Sequence, residues 1–204
     1  MFSLISGFIT WYTSKTEVKI LVLGLDNAGK TTFLERVKSM FSQDGGASSV
    51  PLDRILPTIG LNMGRVQAHG CDLTLWDLGG QQSFRSIWNN YFEDADVLIY
   101  VVDSADSERF EEATRTLHKI VEHPEAASLP VLILGNKNDM PLAQDVSALR
   151  TLFDVENLCL NERTVQVMSG SAVTSKGIAD ALEWVVSTTK LLKEQRQHEE
   201  SKSS

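Results

Sequence analysis

A glycine-rich segment near the start of the chain has the residue types and spacing of a phosphate-binding loop. It reads GLDNAGKT, from Gly24 to Thr31, and lies between an apolar run and a helical pattern. Glycines allow backbone N–H groups to turn inward around phosphate oxygens, and the positive end of the following helix points at the same place. Lys30 can reach the β- and γ-phosphates of a nucleotide, and the Thr31 hydroxyl can ligate Mg²⁺. The predicted phosphate contacts are Gly24, Leu25, Asp26, Asn27, Ala28, Gly29, Lys30, Thr31 and Thr32.

A second motif predicts that the nucleotide carries guanine. NKND, from Asn136 to Asp139, directly follows an apolar strand pattern. The Asp139 carboxylate can accept hydrogen bonds from both the N1–H and the 2-amino group of guanine, and adenine lacks this pair of donors. Asn136 can bond either the base or the phosphate loop, while the Lys137 stem covers the ring. A site built to pair these donors discriminates strongly against other bases. The weaker motif SGSA supplies two backbone N–H candidates for the guanine O6, Ser171 and Ala172.

Two further segments supply candidates for metal binding and hydrolysis. WDLGGQ contains Asp77, suited to holding Mg²⁺ through water, and Gly80, whose N–H can sense a γ-phosphate. Gln81 is the catalytic candidate, because its amide could orient the attacking water. LPTIG offers Thr58 as a second Mg²⁺ ligand beside Thr31, present only while a γ-phosphate and metal hold its loop. We therefore predict a GTPase with GTP, GDP and Mg²⁺ as ligands, in which GTP orders two loops and hydrolysis releases them.

Two other classes of protein share part of this pattern. A nucleoside or nucleotide kinase also has a phosphate loop, but it needs an acceptor-substrate pocket and a lid, and NKND argues against it. A GTP-binding adaptor that does not hydrolyse its nucleotide differs from a GTPase only in rate, so this alternative stays open.

The elements that must position these motifs alternate along the chain. Apolar runs at 18–24, 96–103 and 130–137 are typical of strands covered on both faces. Alternation over 61–77 around a central AHG predicts an antiparallel edge hairpin, and 163–172 supplies a last strand. Helical patterns occupy 30–41, 84–92, 107–122, 145–153 and 177–192. We predict an α/β doubly wound domain with a mostly parallel six-stranded sheet, helices on both faces and ligands beyond the carboxyl ends of the strands.

Composition narrows the class of protein. The 204 residues suit one domain, and the net charge of −8 argues against general nucleic-acid binding, which needs a cationic face.

Cys71 and Cys159 form no metal-ligand spacing or disulfide framework, and two isolated buried thiols suit a reducing cytosol. No apolar run approaches the roughly 20 residues that span a bilayer. A secretory signal is not indicated, because the first basic residue, Lys15, follows the apolar start.

Several segments together carry a resemblance to a known family: ILVLGLDNAGKTTFLE, PTIGLN, LWDLGGQ, RSIWNNYF, VVDS, LILGNKND and SGSAVTSKG. They resemble the Arf and Arf-like GTPases, and most of all the Arf-related-protein subgroup. The resemblance runs from about Phe2 to Leu192 and implies a P-loop NTPase small-GTPase domain over residues 15–192. It also implies an interswitch hairpin, about 61–76, that slides upon GTP binding. Asp26 in place of a glycine implies slow unaided hydrolysis that needs a partner.

The resemblance also implies protein partners. These are a guanine nucleotide exchange factor, a GTPase-activating protein, and effectors that contact an aromatic trio on the GTP form. Trp76 and Tyr91 match that trio, and Leu61 stands where the family commonly has Phe, which leaves an apolar surface.

The first 14 residues are predicted to form an amphipathic helix. Its broad apolar face lies opposite Ser3, Ser6 and Thr10 on a helical wheel. The resemblance implies that the GDP form packs this helix on the domain and that the GTP form releases it to a membrane. A permanently packed terminal helix is the alternative. The predicted membrane contacts are Phe2, Leu4, Ile5, Phe8, Ile9 and Trp11.

The common lipid anchors are not predicted. Phe2 stands where myristoylated relatives need glycine, the first turns hold no cysteine, and the ending SKSS is no prenylation box. Because stable anchoring generally takes two signals, we expect an acetylated Met1 and a membrane-protein receptor to supply the second. The predicted location is the cytosol and the Golgi (trans-Golgi) membrane, with a role in Golgi-linked vesicle and protein traffic. Two polar segments complete the prediction, a mobile loop at 42–53 and a frayed tail at 193–204.

Overall fold

The computed structural model describes residues 16–41, 49–159 and 163–203. The predicted N-terminal helix, with its membrane contacts, and most of the predicted mobile loop lie outside these described residues. No helix in the described part of the chain combines the length and the apolar content needed to cross a bilayer.

Six strands form one sheet in the order β2-β3-β1-β4-β5-β6. Strands β2 and β3 pair antiparallel, and the other neighbouring pairs are parallel. This arrangement confirms the predicted mostly parallel sheet with an antiparallel hairpin at its edge. The strands are β1 (Thr16–Leu23), β2 (Leu61–Ala68), β3 (Cys71–Leu78), β4 (Val97–Asp103), β5 (Val131–Asn136) and β6 (Val165–Ser169).

Burial along the strands follows from their positions in the sheet. All six residues of β5 are buried, because this strand lies inside the sheet with helices on both faces. In β2, buried and more exposed residues alternate, as expected of an edge strand with one covered face. The β2–β3 turn uses two residues with positive φ, His69 at 50° and Gly70 at 76°. Such a turn matches the twist of the strands that it joins.

Five α-helices and four 3₁₀ helices complete the described fold. The predicted helix at 84–92 is instead a 3₁₀ helix that begins at Gln82. The α-helices are α1 (Lys30–Phe41), α2 (Phe110–Val121), α3 (Val146–Leu152), α4 (Val155–Leu158) and α5 (Ile178–Ser203). The 3₁₀ helices are Leu52–Arg54, Gln82–Tyr91, Ser107–Arg109 and Pro124–Ala126.

The core has one layer on each face of the sheet. On one face, Ile20 and Val22 of β1 lie in a buried cluster with residues of α1 and α5. On the other face, Leu21 and Leu23 join a second cluster with residues of α2 and α3. Successive side chains of a strand point to opposite faces, so one apolar run supplies both layers. Of the two cysteines, Cys71 is buried as predicted, whereas Cys159 at the end of α4 is exposed.

The last helix extends further than the sequence pattern predicts. We predicted an end at Leu192 and a frayed tail, but α5 continues to Ser203. Its last turns contain Lys, Glu, Gln and Arg, which are good helix formers even without an apolar face. Lys193 also ties the extension to the sheet, because its Nζ donates to Glu17 O and pairs with Asp96 Oδ1, each at 2.8 Å.

Candidate nucleotide-binding site

The phosphate loop connects the carboxyl end of β1 to the amino end of α1. Its backbone has positive φ at Gly24 (143°), Asn27 (63°) and Gly29 (90°). A side chain at Gly24 would collide with the Val101 carbonyl, and one at Gly29 with the Asn136 amide. Glycine is therefore required at these two positions by both backbone conformation and space.

The loop opens into a cavity of about 300 Å³. Leu25 and Ala28 are buried beneath the loop, where their carbonyls accept hydrogen bonds from Lys30 Nζ and Asn136 Nδ2. The other predicted phosphate contacts, except Gly24, line the cavity itself. The lining includes Asp26, Asn27, Gly29, Lys30, Thr31, Thr32, Pro57, Thr58, Gly80 and Gln81.

The three predicted metal ligands lie together at one end of this cavity. Thr31 Oγ1 is 2.6 Å from Thr58 Oγ1 and donates to Asp77 Oδ2 at 2.7 Å, and Thr58 Oγ1 donates to the same oxygen at 3.2 Å. Asp77 Oδ1 is buried with no hydrogen-bond partner among the described residues. Burial raises the pKa of Asp77, against the hydrogen bond from Thr31 and the charge of Lys30.

This set of oxygens fits Mg²⁺. Hydroxyl and carboxylate oxygens are the ligands that Mg²⁺ prefers, and the unpaired Asp77 oxygen leaves capacity for a further contact through water. Thr31, Thr58 and Asp77 would hold the ion, which would neutralise negative charge on the phosphates.

Gly80 and Gln81 reach the phosphate loop from the segment after β3. A side chain at Gly80 would collide with the backbone of Leu25 and Asp26 and with Lys30 Nζ, so only glycine fits there. Gln81 is exposed and lines the same cavity. The Gly79 N–H donates to the Gly60 carbonyl at 2.9 Å, which joins this segment to the loop that carries Thr58. The two loops predicted to respond to GTP therefore contact each other.

Asn136 connects the NKND motif to the phosphate loop and to the loop after β6. Its Nδ2 donates to Ala28 O at 2.8 Å, and its Oδ1 accepts from the Ala172 N–H at 2.9 Å. Of the two roles left open by the sequence, the structure shows the bond to the phosphate loop. Lys137 pairs with Asp103 at 2.6 Å, and Asp139 is exposed at the end of the motif.

The two N–H groups predicted to meet the guanine O6 both have acceptors within the protein. The Ser171 N–H donates to Lys176 O at 2.9 Å, and the Ala172 N–H donates to Asn136. A contact with O6 therefore requires either group to share its hydrogen or the loop to adjust. The contact of this loop with the base stays a prediction.

Arg36 of α1 holds the same loop and was not predicted from the sequence. Its Nε donates to Ala172 O at 2.8 Å and its Nη2 to Val173 O at 2.6 Å. These partners lie 136 and 137 positions away along the chain, so no local spacing could predict them.

The sequence motifs also did not predict a group of charged residues beside the phosphate loop. Arg109 Nη2 contacts Asp26 Oδ1 at 2.9 Å and Glu112 Oε2 at 3.0 Å, and Arg85 Nη2 contacts Glu112 Oε1 at 2.7 Å. Partial burial opposes ionisation of Asp26, but the hydrogen bond and charge of Arg109 outweigh it and hold the pKa of Asp26 below its usual value. The Asp26 carboxylate is therefore paired with a cation at the edge of the phosphate cavity.

The predicted effector residues form one apolar surface. Leu61 is exposed on β2, and Trp76 of β3 packs edge-on against Tyr91 with ring centroids 5.7 Å apart. Met63 lies opposite Trp76 in the β2–β3 register and is also exposed. Opposite residues of an antiparallel pair share a face of the sheet. Met63 therefore extends the predicted surface.

Fold and site together define a small GTPase. The phosphate loop, Asp77 and the NKND motif lie at the carboxyl ends of β1, β3 and β5, which is where ligands of such sheets bind. The solved structure "Arl6 BBS3 Small GTPase from Trypanosoma brucei with bound nucleotide analogue GppNp" has the same fold. It matches with a TM-score of 0.75 and 25% identity, over 86% of this chain and 98% of that chain.

Sequence comparison identifies the family. The ADP-ribosylation factor (Arf) family matches residues 4–189. Human ADP-ribosylation factor-related protein 1 is 38% identical over 91% of this chain and 92% of its own length. The relatives of the same name from Rattus norvegicus and Bos taurus are 38% and 37% identical over the same shares. The chain belongs to the Arf family, whose members are regulatory GTPases that bind GTP and GDP, hydrolyse GTP, and interact with exchange factors, activating proteins and effectors.

Proposed function

We propose that this protein is a nucleotide-controlled switch for Golgi-linked vesicle and protein traffic. The observation that carries the proposal is the meeting of the two loops at the phosphate end of the cavity. Thr58 contacts Thr31 and Asp77, and Gly80 lies against the phosphate loop. Contacts of Thr58 and Gly80 with a γ-phosphate hold both loops, and loss of that group releases them. Similarity to ADP-ribosylation factor-related protein 1 supports the Golgi role.

Gln81 is the proposed catalytic residue of this switch. It lines the cavity beside Gly80, where its amide orients the water that attacks the γ-phosphate. Single-turnover GTP hydrolysis, with and without cell extract as a source of activating protein, measures this role. We expect slow hydrolysis that extract accelerates, and we expect Gln81→Leu to abolish the acceleration. Gln82→Leu, one residue along on the same exposed segment, is the matched control. Normal stimulated hydrolysis by Gln81→Leu would remove Gln81 from catalysis.

The same measurement separates the switch from a GTP-binding adaptor that does not hydrolyse its nucleotide. An adaptor would keep GTP intact in extract as well as in buffer, whereas a switch would convert it to GDP and phosphate.

We propose that the bound nucleotide controls membrane binding and that the N-terminal segment makes the membrane contact. Its apolar residues, together with an acetylated Met1 and a membrane-protein receptor, would supply the two signals that stable anchoring takes. The surface around Leu61, Met63, Trp76 and Tyr91 would meanwhile be available to effectors.

Membrane fractionation tests this part of the proposal. Full-length protein loaded with GDP or with a non-hydrolysable GTP analogue is mixed with Golgi membranes or plain liposomes, beside a variant lacking residues 1–12. We expect the analogue-loaded full chain to bind Golgi membranes, and the truncated variant and the GDP form to stay unbound. Equal binding to plain liposomes would contradict the need for a receptor.

A further inference from the structure

Two side chains of the 3₁₀ helix Gln82–Tyr91 hold the backbone carbonyls on either side of the Gly80 Cα. Trp88 Nε1 donates to the Gly79 carbonyl at 3.1 Å. Arg85 Nε donates to the Gly80 carbonyl at 2.8 Å. Both peptide planes that flank the Gly80 Cα are therefore fixed by side chains from one short helix.

Because a peptide group is planar, fixing the direction of its carbonyl also fixes the direction of its N–H. The Gly79 carbonyl shares its peptide with the Gly80 N–H, and the Gly80 carbonyl shares its peptide with the Gln81 N–H. The described peptides are trans, so in each of them the N–H points away from the carbonyl. Neither N–H donates to an acceptor in the described residues. Gly80 lies against Lys30, and both Gly80 and Gln81 line the phosphate cavity.

The two side chains that hold these carbonyls are themselves held. Trp88 is 2% exposed. The Arg85 guanidinium contacts Glu112 at 2.7 Å, Thr116 at 3.5 Å and Asp26 at 3.9 Å. The Arg85 hydrogen bond also helps to hold the pKa of Glu112 below its usual value, against partial burial. Because Glu112 and Thr116 belong to α2, the orientation of the Gly80 segment is set by a helix outside the two loops that are predicted to respond to GTP.

We propose that Arg85 and Trp88 are positioning residues that direct the Gly80 and Gln81 N–H groups at the terminal phosphoryl group of bound GTP. The inference rests on the proposed switch function and adds the residues that set its preference for triphosphate. GDP has no γ-phosphoryl group to receive these N–H groups. Loss of either carbonyl contact therefore weakens binding of the triphosphate and leaves binding of the diphosphate unchanged.

Trp88→Phe tests the first contact, because it removes the indole N–H and keeps an aromatic ring in the pocket. Affinities for GDP and for a non-hydrolysable GTP analogue are measured on the full chain with Mg²⁺ present. We expect the affinity for the analogue to fall about fivefold, the worth of one ordinary hydrogen bond, with the affinity for GDP unchanged. Trp184→Phe is the matched control, because Trp184 packs against the core cluster on the α1 and α5 side of the sheet.

Arg85→Lys tests the second contact, because it keeps the positive charge near Asp26 and Glu112 and removes the Nε donor. We expect the same selective loss of affinity for the analogue. Arg115→Lys is the control, since Arg115 forms an exposed pair with Glu111 on α2. Thermal unfolding of each GDP-loaded variant checks folding, and Arg85→Lys carries the test if Trp88→Phe does not fold.

The outcomes separate this inference from the proposed function. A wild-type protein that binds neither nucleotide would overturn both. A wild-type protein that binds both nucleotides, with variants that keep its ratio of affinities, would overturn the positioning role alone. A loss of GDP and analogue binding by the same factor would also overturn it, because it would show that the two side chains only support the fold.

Discussion

Lys30 is a buried cation whose anionic partner would arrive with the nucleotide. Its side chain is 5% exposed, and Nζ donates only to a backbone carbonyl, that of Leu25, among the described residues. Burial lowers the pKa of Lys30 to about 8, against the raising effects of Asp77 and Asp26. Phosphate oxygens at this position would favour the charged form and raise that pKa again.

We expect nucleotide binding to be coupled to proton uptake at Lys30. At pH 8, about half of the nucleotide-free molecules carry an uncharged Lys30, so binding should take up about half a proton. Uptake should approach one proton at higher pH, and GDP affinity should fall as pH rises above 8. Calorimetric titration of GDP in two buffers of different ionisation enthalpy measures the uptake. Equal binding enthalpies in both buffers at pH 8 would contradict the expectation.

Asp139→Asn tests base recognition at the scale of a single side chain. An amide can donate to the carbonyl that xanthine carries where guanine has its 2-amino group. We therefore expect affinity for GDP to fall by at least about tenfold and affinity for xanthosine diphosphate to rise. Asp94→Asn, an exposed position at the edge of the domain, is the control. A variant that binds GDP as the wild type does would exclude Asp139 from reading the base.

At the scale of elements, a closed series of contacts joins both ends of the site. The phosphate loop leads into α1, Arg36 of α1 holds the Ala172 carbonyl, and the Ala172 N–H donates to Asn136. Asn136 then returns to the phosphate loop at Ala28. Three segments distant in sequence therefore support one another's position around the nucleotide.

Arg36→Met should accelerate nucleotide release. The substitution keeps an apolar stem but removes two donors to the loop after β6. We expect GDP to dissociate about tenfold faster, which corresponds to ~1.4 kcal/mol, because partly exposed charge-assisted bonds are worth about that much. Displacement of a fluorescent GDP measures the rate, with Arg150→Met on α3 as the exposed control. An unchanged rate would show that the loop needs no support from α1.

At the scale of the whole molecule, the site depends on the relative position of parts that the chain keeps far apart. The metal candidates come from the start of α1, the loop before β2 and the end of β3. The Gly79–Gly60 hydrogen bond joins the two loops beside them. Ordering of one loop therefore favours ordering of the other.

Removal of Mg²⁺ should loosen the whole phosphate end of the site. Chelation would remove the cation that Thr31, Thr58 and Asp77 are proposed to hold beside the phosphates, so we expect nucleotide release at least about tenfold faster. Hydrogen exchange of GTP-analogue-loaded protein should rise together at 56–61 and 79–84, because their contacts are coupled. Protection at 131–136 inside the sheet should stay constant. A rise confined to one loop would contradict the coupling.

The sequence by itself determined the chemistry of this protein and the class of its fold. Short-range patterns did this, because a phosphate loop, a strand-end carboxylate and NKND each need only neighbouring residues to be recognised. The local sequence pattern did not predict two features of the helices. The segment Gln82–Tyr91 has a helical pattern but forms a 3₁₀ helix, whose backbone is tighter than that of an α-helix. Helix α5 continues past its last apolar residue.

Only the tertiary structure decided how the motifs are held. Arg36 reaches carbonyls 136 and 137 positions away, and Arg109 reaches Asp26 across 83. The sequence allowed Asn136 to bond either the base or the phosphate loop. Because β5 packs beside the phosphate loop, Asn136 donates to the loop. Such contacts depend on how the sheet and helices pack together. They cannot be predicted from composition or from the spacing of neighbouring residues.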